Sequence, residues 1–441
     1  MDRIVVTGLW HLGCVTAACL AEHYEVVGHD HDRQTVDDLA AGRPPLFEPG
    51  LTELVGEGLE AKRLRFATRA ADAGAAKVLW VAFDTPVDEE DRADVEFIAG
   101  AVSGWFPFLA PRTLVIISSQ IPAGFTARME REANEGGFDL RFAYLPENLR
   151  LGEALNVFRR PERVVAGVRT DADREEIAGL LRPFTENVVW MSVESAEMAK
   201  HALNAFLATS ITFANEVAAI CERVGADFRD VERALRSDAR IGPRAYLSAG
   251  LGFGGGTLAR DVRTLASISE ERDTPADLLQ AVLRSNARQQ RWAASTLERE
   301  LGPLKDKRIA VLGLTYKPGT DTLRRSSVVE LCRRVHAEGA RIVAFDPAVR
   351  ELGEASTFID LADSAESAME GADAVVIGTE WPEFLRLSPA SFDAMRRRIV
   401  IDPKRWLEGR LQTDGTISYF GVGLSRKRTS AARALTAATT R

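Results

Sequence analysis

Two stretches of this chain repeat one pattern: a short apolar strand, a glycine, a helix, and a second apolar strand leading to an aspartate. The first runs from a strand at 3–7 through Gly8 and a helix at 14–22 to a strand at 25–28 and Asp30. The second runs from a strand at 308–312 through Gly313 and a helix at 326–337 to a strand at 341–345 and Asp346. Each reads as a βαβ unit, and two strands joined this way lie parallel through a right-handed crossover that lays the helix on the sheet. Further short apolar strands are predicted at 77–81, 114–117, 374–378 and 399–402. Strands alternating with helices build a parallel sheet covered on both faces. The fold class read from this pattern is α/β, with two doubly wound parallel-sheet domains.

Between the two units the rhythm changes. From 195 to 223 there is no proline or glycine, apolar residues recur at helical spacing, and Gly225 supplies a stop. A helix of about 30 residues is about 45 Å long, which suits a connector between domains and offers a surface for dimerisation. The predicted division is an N-terminal domain at 1–193, a central helical domain at 194–302, a C-terminal domain at 303–425, and a basic, solvated tail at 426–441. A chain of 441 residues has room for two or three domains. The net charge of −8 argues against a nucleic-acid partner. No apolar run reads as long enough to span a membrane, and the N-terminus passes straight into a strand pattern, so a cytoplasmic location is expected. Cys14, Cys19, Cys221 and Cys332 are scattered singly, as small buried residues, with no spacing for a disulfide framework or a metal site.

Gly8 and Gly13 match the first and third glycines of G-x-G-x-x-G. The first permits the tight turn and the third lets helix and strand pack closely; Trp10 stands at the middle position, with His11 and Leu12 completing the loop. The helix N-terminus still offers amides to a phosphate. Asp30, 17 positions beyond Gly13, can accept from both hydroxyls of a ribose and would repel a 2′-phosphate. The expected cofactor is therefore NAD rather than NADP.

Several motifs in order resemble those of the UDP-glucose/GDP-mannose dehydrogenases. They are Phe47-Glu48-Pro49-Gly50-Leu51, Thr85-Pro86, Pro146-Glu147-Asn148-Leu149-Arg150, and Ala196-Glu197-Met198-Ala199-Lys200 running on to Asn204-Ala205-Phe206. Arg240-Ile241-Gly242 then precedes the glycine loop 250–256, and Gly313-Leu314-Thr315-Tyr316-Lys317-Pro318 is followed by Asp321 and Arg324. The resemblance implies two Rossmann-like domains joined by the central helix, with NAD on the N-terminal domain and a nucleotide sugar on the C-terminal one. It places Thr85, Pro86, Ser119, Gln120 and Arg324 with the cofactor. It places Leu149, Arg150, Arg240, Phe253, Gly254, Gly255, Tyr316, Lys317 and Lys404 with the substrate, in a homodimer or higher oligomer.

The family oxidises a sugar CH2OH to a carboxylate with two NAD, which needs a base, donors for a developing oxyanion, and an adduct to the aldehyde before the second hydride leaves. Lys200 and Asn204, four apart on one helix, are the expected donors; Glu147 is the expected base, and Asp261 the residue holding a water. Where the family carries a nucleophilic cysteine, Thr257 stands. Gln120, Asn148, Leu151, Ala259 and Arg260 also depart from the family's pattern. An alcohol is far harder to ionise than a thiol. Three readings stay open: a dehydrogenase working through a hydrate or stopping at a carbonyl, a transient oxidation as in an epimerase, and a non-catalytic nucleotide-sugar binder.

Overall fold

The computed structural model describes residues 3–73, 75–88, 93–147, 149–254, 256–324, 326–411 and 414–425. The tail predicted at 426–441, and the positions of Asn148 and Gly255, lie outside the described residues. The chain divides into two compact units, Met1–Leu203 and Asn204–Arg441.

In the first unit, eight strands form one sheet: β1 (Arg3–Thr7), β2 (Glu25–His29), β3 (Leu64–Ala67), β4 (Val78–Val81), β5 (Leu114–Ile117), β6 (Arg141–Tyr144), β7 (Val164–Gly167) and β8 (Val188–Met191). Their order is β3-β2-β1-β4-β5-β6-β7-β8, parallel throughout except where Tyr144 meets Gly167 between β6 and β7. The first six follow the 3-2-1-4-5-6 order of a dinucleotide fold, which leaves a crevice at the carboxyl ends of β1 and β4. Alternate side chains feed two cores. Ile4, Val6, Trp80 and Ile116 pack on one face, while Val5, Leu79, Val81 and Ile117 pack on the other.

The second unit repeats the order with β9 (Arg308–Leu312), β10 (Arg341–Phe345), β11 (Asp360–Leu361), β12 (Ala374–Ile377), β13 (Ile399–Ile401) and β14 (Ser418–Phe420), arranged β11-β10-β9-β12-β13-β14 and all parallel. The two sheets are thus Rossmann-like, as the sequence predicts. The predicted strands recur within a residue or so at each end. The helix after Gly8 differs more: it spans His11–Leu20 rather than 14–22, because Gly8 completes the turn by itself at φ 92 and Trp10 already sits at the N-cap. Ser326 is the N-cap of Ser327–Ala337 and accepts from Val328 N–H.

The long helix is Val193–Val224, 32 residues, ending at Gly225 in the left-handed conformation. Its length and apolar content are enough to cross a membrane, which corrects the expectation that no run is long enough. Glu197, Lys200, His201, Asn204 and Asn215 are nonetheless buried along it, and each makes hydrogen bonds to protein groups, the environment of a core helix in a folded protein.

Candidate active site

The dinucleotide loop is built by close contact. A Cβ on Gly8 would lie 2.7 Å from the Phe83 amide nitrogen, and one on Gly13 would lie 1.7 Å from the Gly8 carbonyl oxygen, so both positions admit only glycine. Gly8 N–H donates to His29 O at 3.0 Å. Leu9 N–H donates to Asp30 Oδ2 at 2.7 Å, and Asp32 N–H to Asp30 Oδ1 at 3.0 Å. Trp10 is exposed at the helix N-terminus, where the middle glycine would stand, and Leu12 is buried. His11 Nε2 lies 3.1 Å from Glu48 Oε2, and the same carboxylate accepts from Gly152 and Ala154 N–H, each at 2.8 Å.

At the neighbouring strand ends, Thr85 Oγ1 donates to the Gln120 carbonyl at 2.6 Å, with Pro86 beside it. Ser119 is fully buried, and its hydroxyl has no hydrogen-bond partner among the described residues. The orphaned Ser119 hydroxyl beyond β5, and a partly exposed Asp30 at the end of β2, fit a dinucleotide.

The second unit has the same turn with a different outcome. Gly313 adopts φ 87, and Leu314 N–H donates to Asp346 Oδ2 at 2.7 Å, as Leu9 does to Asp30. Yet Asp346 also accepts from Thr315 N–H at 3.1 Å, the Thr315 hydroxyl at 3.2 Å, Trp381 Nε1 at 3.1 Å and Ala348 N–H at 2.9 Å. It is 1% exposed and saturated, so no ribose can use it. Arg324 lies exposed in this second unit.

Glu147 follows β6, and its Oε2 accepts from Leu149 N–H at 2.8 Å, while Arg150 is exposed. Lys200 Nζ donates to the Glu147 carbonyl at 2.5 Å and lies 3.4 Å from its Oε1. One turn earlier, Glu197 accepts from Gly124 and Thr126 N–H at 2.6 and 2.9 Å, which pins the helix under this loop; burial pushes its carboxyl above the usual range.

In the second unit Asn204 donates its amide to the Asp261 carboxylate, both buried. Asp261 and Thr257 lie one turn apart on helix Gly256–Glu271, Thr257 being exposed in the first turn. Burial pushes the thiols of Cys14, Cys19, Cys221 and Cys332 up, so none of them is a ready thiolate. Tyr316 is exposed, with Lys317 Nζ 5.7 Å from its ring centre. Arg240 is exposed and paired with Asp238 at 2.7 Å. Lys404 is exposed in the turn after β13.

The glycine loop is held by side-chain amides that no sequence motif marks. Asn286 accepts from Phe253 N–H at 2.9 Å and donates to Phe253 O at 3.1 Å, and Gln290 adds a donor to that carbonyl at 3.0 Å. Asn215 accepts from Gly250 N–H at 2.8 Å, and Gln289 donates to Gly250 O at 2.6 Å. Gly254 continues this held segment, partly exposed. Asn286, Gln289 and Gln290 stand at helical i, i+3, i+4 spacing, a cluster of amides that marks one face turned toward backbone.

Three parts of the UDP-glucose/GDP-mannose dehydrogenase family match the chain in order: its NAD binding domain over residues 2–185, its central domain over 194–288 and its UDP binding domain over 310–409. The chain is similar to the UDP-glucose 6-dehydrogenase of Pseudomonas aeruginosa, 35% identical over 96% of this chain and 98% of that protein. The UDP-glucose 6-dehydrogenase AglM of Haloferax volcanii is 36% identical over 91% of this chain and 96% of its own. Among solved structures, a UDP-glucose dehydrogenase from Pyrobaculum islandicum superposes with a TM-score of 0.87 at 31% identity, covering 96% of this chain and 98% of that one.

Proposed function

Because the chain belongs to the UDP-glucose/GDP-mannose dehydrogenase family and carries its NAD-binding domain, we propose that it oxidises a UDP-sugar, UDP-glucose first among them, at its primary alcohol. The observation that carries this reading is the grip of the buried Lys200 ammonium on Glu147. Glu147 takes the proton of the sugar hydroxyl, directly or through a water, and Lys200 steadies the oxygen as charge grows on it. NAD held on the first unit would supply the hydride acceptor. Asp30 holds the adenosine ribose, the loop Gly8–Gly13 with Trp10, His11 and Leu12 holds the diphosphate, and Thr85, Pro86, Ser119, Gln120 and Arg324 complete the cofactor contacts. Leu149, Arg150, Phe253, Gly254, Gly255, Tyr316, Lys317 and Lys404 hold the sugar nucleotide.

We further propose that the second oxidation proceeds without a covalent adduct. Asn204 fixes the Asp261 carboxylate, which orients a water to add to the aldehyde and leaves Thr257 as a bystander. A second reading, in which the reaction stops at the carbonyl, is favoured by the exposure of Thr257. The functional division proposed is 1–193, 194–302 and 303–425, and the matched family spans support it. Phe206, Phe213 and Ile220 recur every seven residues on the long helix and are 70%, 50% and 60% exposed, which supports a homodimer through that stripe, with Arg240 reaching the partner's substrate.

The test is NADH released per sugar consumed over UDP-, GDP- and TDP-sugars, with mass spectrometry of the product. Two NADH and a uronate support the hydrate route. One NADH and a carbonyl product leave the first oxidation standing and remove the second. Absence of NADH with every sugar nucleotide sinks the proposal.

A further inference from the structure

The turn after β13 carries a charge network, buried at Arg405 and Glu408 and open to solvent at Arg229, that the proposed chemistry does not use. Arg405 is 4% exposed and has a left-handed backbone at φ 57. Its guanidinium donates to both oxygens of Asp227, at 2.6 and 2.9 Å, and to both oxygens of Glu408, at 2.5 and 3.0 Å. Arg229 completes the ring, donating to Glu408 Oε2 at 2.6 Å, to the Arg405 carbonyl at 2.7 Å and to the Lys404 carbonyl at 3.3 Å. Two cations balance two carboxylates. Gly421 leaves room for the Arg405 stem, since a Cβ there would lie 2.3 Å from Arg405 Cγ.

Buried ion pairs add little net stability, but they fix geometry, because a displaced member leaves an uncompensated charge behind. What this ring fixes is the backbone under Lys404. The Lys404 stem is confined as well: it lies across Gly250, where a Cβ would come within 2.7 Å of Lys404 Cε, and Gly250 is itself tied to Asn215 and Gln289. A cavity of about 150 Å³ opens alongside, lined in part by Arg229, Glu232, Ser248, Glu380 and Lys404. A free lysine has a flexible four-carbon stem and loses much rotamer entropy when it meets an anion; one already confined loses less.

We propose that Arg405 is a positioning residue: with Asp227, Glu408 and Arg229 it presents the Lys404 ammonium, already ordered, to the diphosphate of a nucleoside-diphosphate sugar. The inference rests on the functional reading above and adds a set of residues to it. Lys404 makes the contact, and the ring acts only through it.

The test is a double-mutant cycle on the full-length protein, with UDP as the probe and its dissociation constant read by calorimetry. Arg405→Asn suits the site because asparagine tolerates a left-handed backbone. It is expected to weaken UDP about tenfold in the natural background and less than about twofold in a Lys404→Met background. Unchanged NAD affinity reports an intact first unit. Equal loss in both backgrounds, or no loss in either, overturns the proposal. If Arg405→Asn does not fold, Glu408→Gln keeps the Arg405–Asp227 pair and is expected to weaken UDP about threefold with the same dependence on Lys404. UDP binding that survives Lys404→Met unchanged overturns the role of Lys404 while leaving the dehydrogenase reading in place. Failure of the natural protein to bind either UDP or UDP-glucose sinks that reading and this inference together.

Discussion

The Lys200 ammonium donates to the main-chain carbonyl of Glu147 at 2.5 Å and lies 3.4 Å from the carboxylate of the same residue. The contact joins the long helix to the loop after β6, and Lys200 is only 7% exposed. A buried ammonium tied to a main-chain carbonyl keeps its place, which is what oxyanion stabilisation requires. Lys200→Met is expected to lower kcat by about 10²–10⁴ while NAD affinity changes little. A variant retaining more than about a tenth of kcat would remove Lys200 from the chemistry.

Thr257 is exposed, and an alcohol is far harder to ionise than a thiol. Thr257→Ala is therefore expected to keep kcat within about threefold, with the same NADH yield per sugar. A fall of about a hundredfold would show that the hydroxyl takes part.

Asn286 ties both polar groups of the Phe253 backbone. Asn286→Ala leaves the buried Phe253 N–H short of a partner, at about 1–3 kcal/mol, while Gln290 still donates to the carbonyl. The expected result is a lowered Tm and a UDP-glucose KM raised about tenfold, with the NAD KM unmoved. An unchanged UDP-glucose KM would make Asn286 a packing residue only.

Asp30 is a partly exposed acceptor just beyond β2. Asp30→Ala is expected to weaken NAD about tenfold, the loss of charged hydrogen bonds, and to narrow the preference over NADP. Titration by NADH and NADPH fluorescence checks both, and an unaltered NAD affinity would place the ribose elsewhere.

His29 is fully buried between β1 and Trp105, with Thr7 Oγ1 2.9 Å from Nδ1. Burial, and then the neighbouring His31, pull its imidazole down to about 4 from its ordinary value of 6.5. The unfolded chain therefore takes up the proton first on acidification. The contribution to stability is whole above about pH 6.5 and is lost as the pH falls through about 4. Thermal melts from pH 7 to 4 should show a steeper fall in Tm for the natural protein than for His29→Gln, and parallel profiles would contradict the assignment.

Much of the fold was legible because its determinants are local. Apolar strands of four or five residues, a glycine where φ must be positive, and an uninterrupted helical stretch before Gly225 each act over one turn or one strand. The first helix begins earlier than its pattern predicts, because Gly13 reads as a turn residue in sequence yet sits inside the helix against the Gly8 carbonyl. The amides of Asn286, Gln289 and Gln290 are not legible in sequence, because a polar residue within a helix reads as solvated until its burial is known.

By itself the sequence determined two βαβ units, the helix that joins them, and the set of charged residues available for chemistry. Tertiary structure decided which of them meet. Asp30 and Asp346 are alike in sequence context, yet Trp381, brought to β9 by the β12 crossover, saturates only the second. Lys200 reaches Glu147 across 53 residues, and Arg405 reaches Asp227 across 178. The reason is physical: a hydrogen bond is won or lost within a few tenths of an ångström. Local pattern cannot set distances of that size between segments that only the packed sheets bring together.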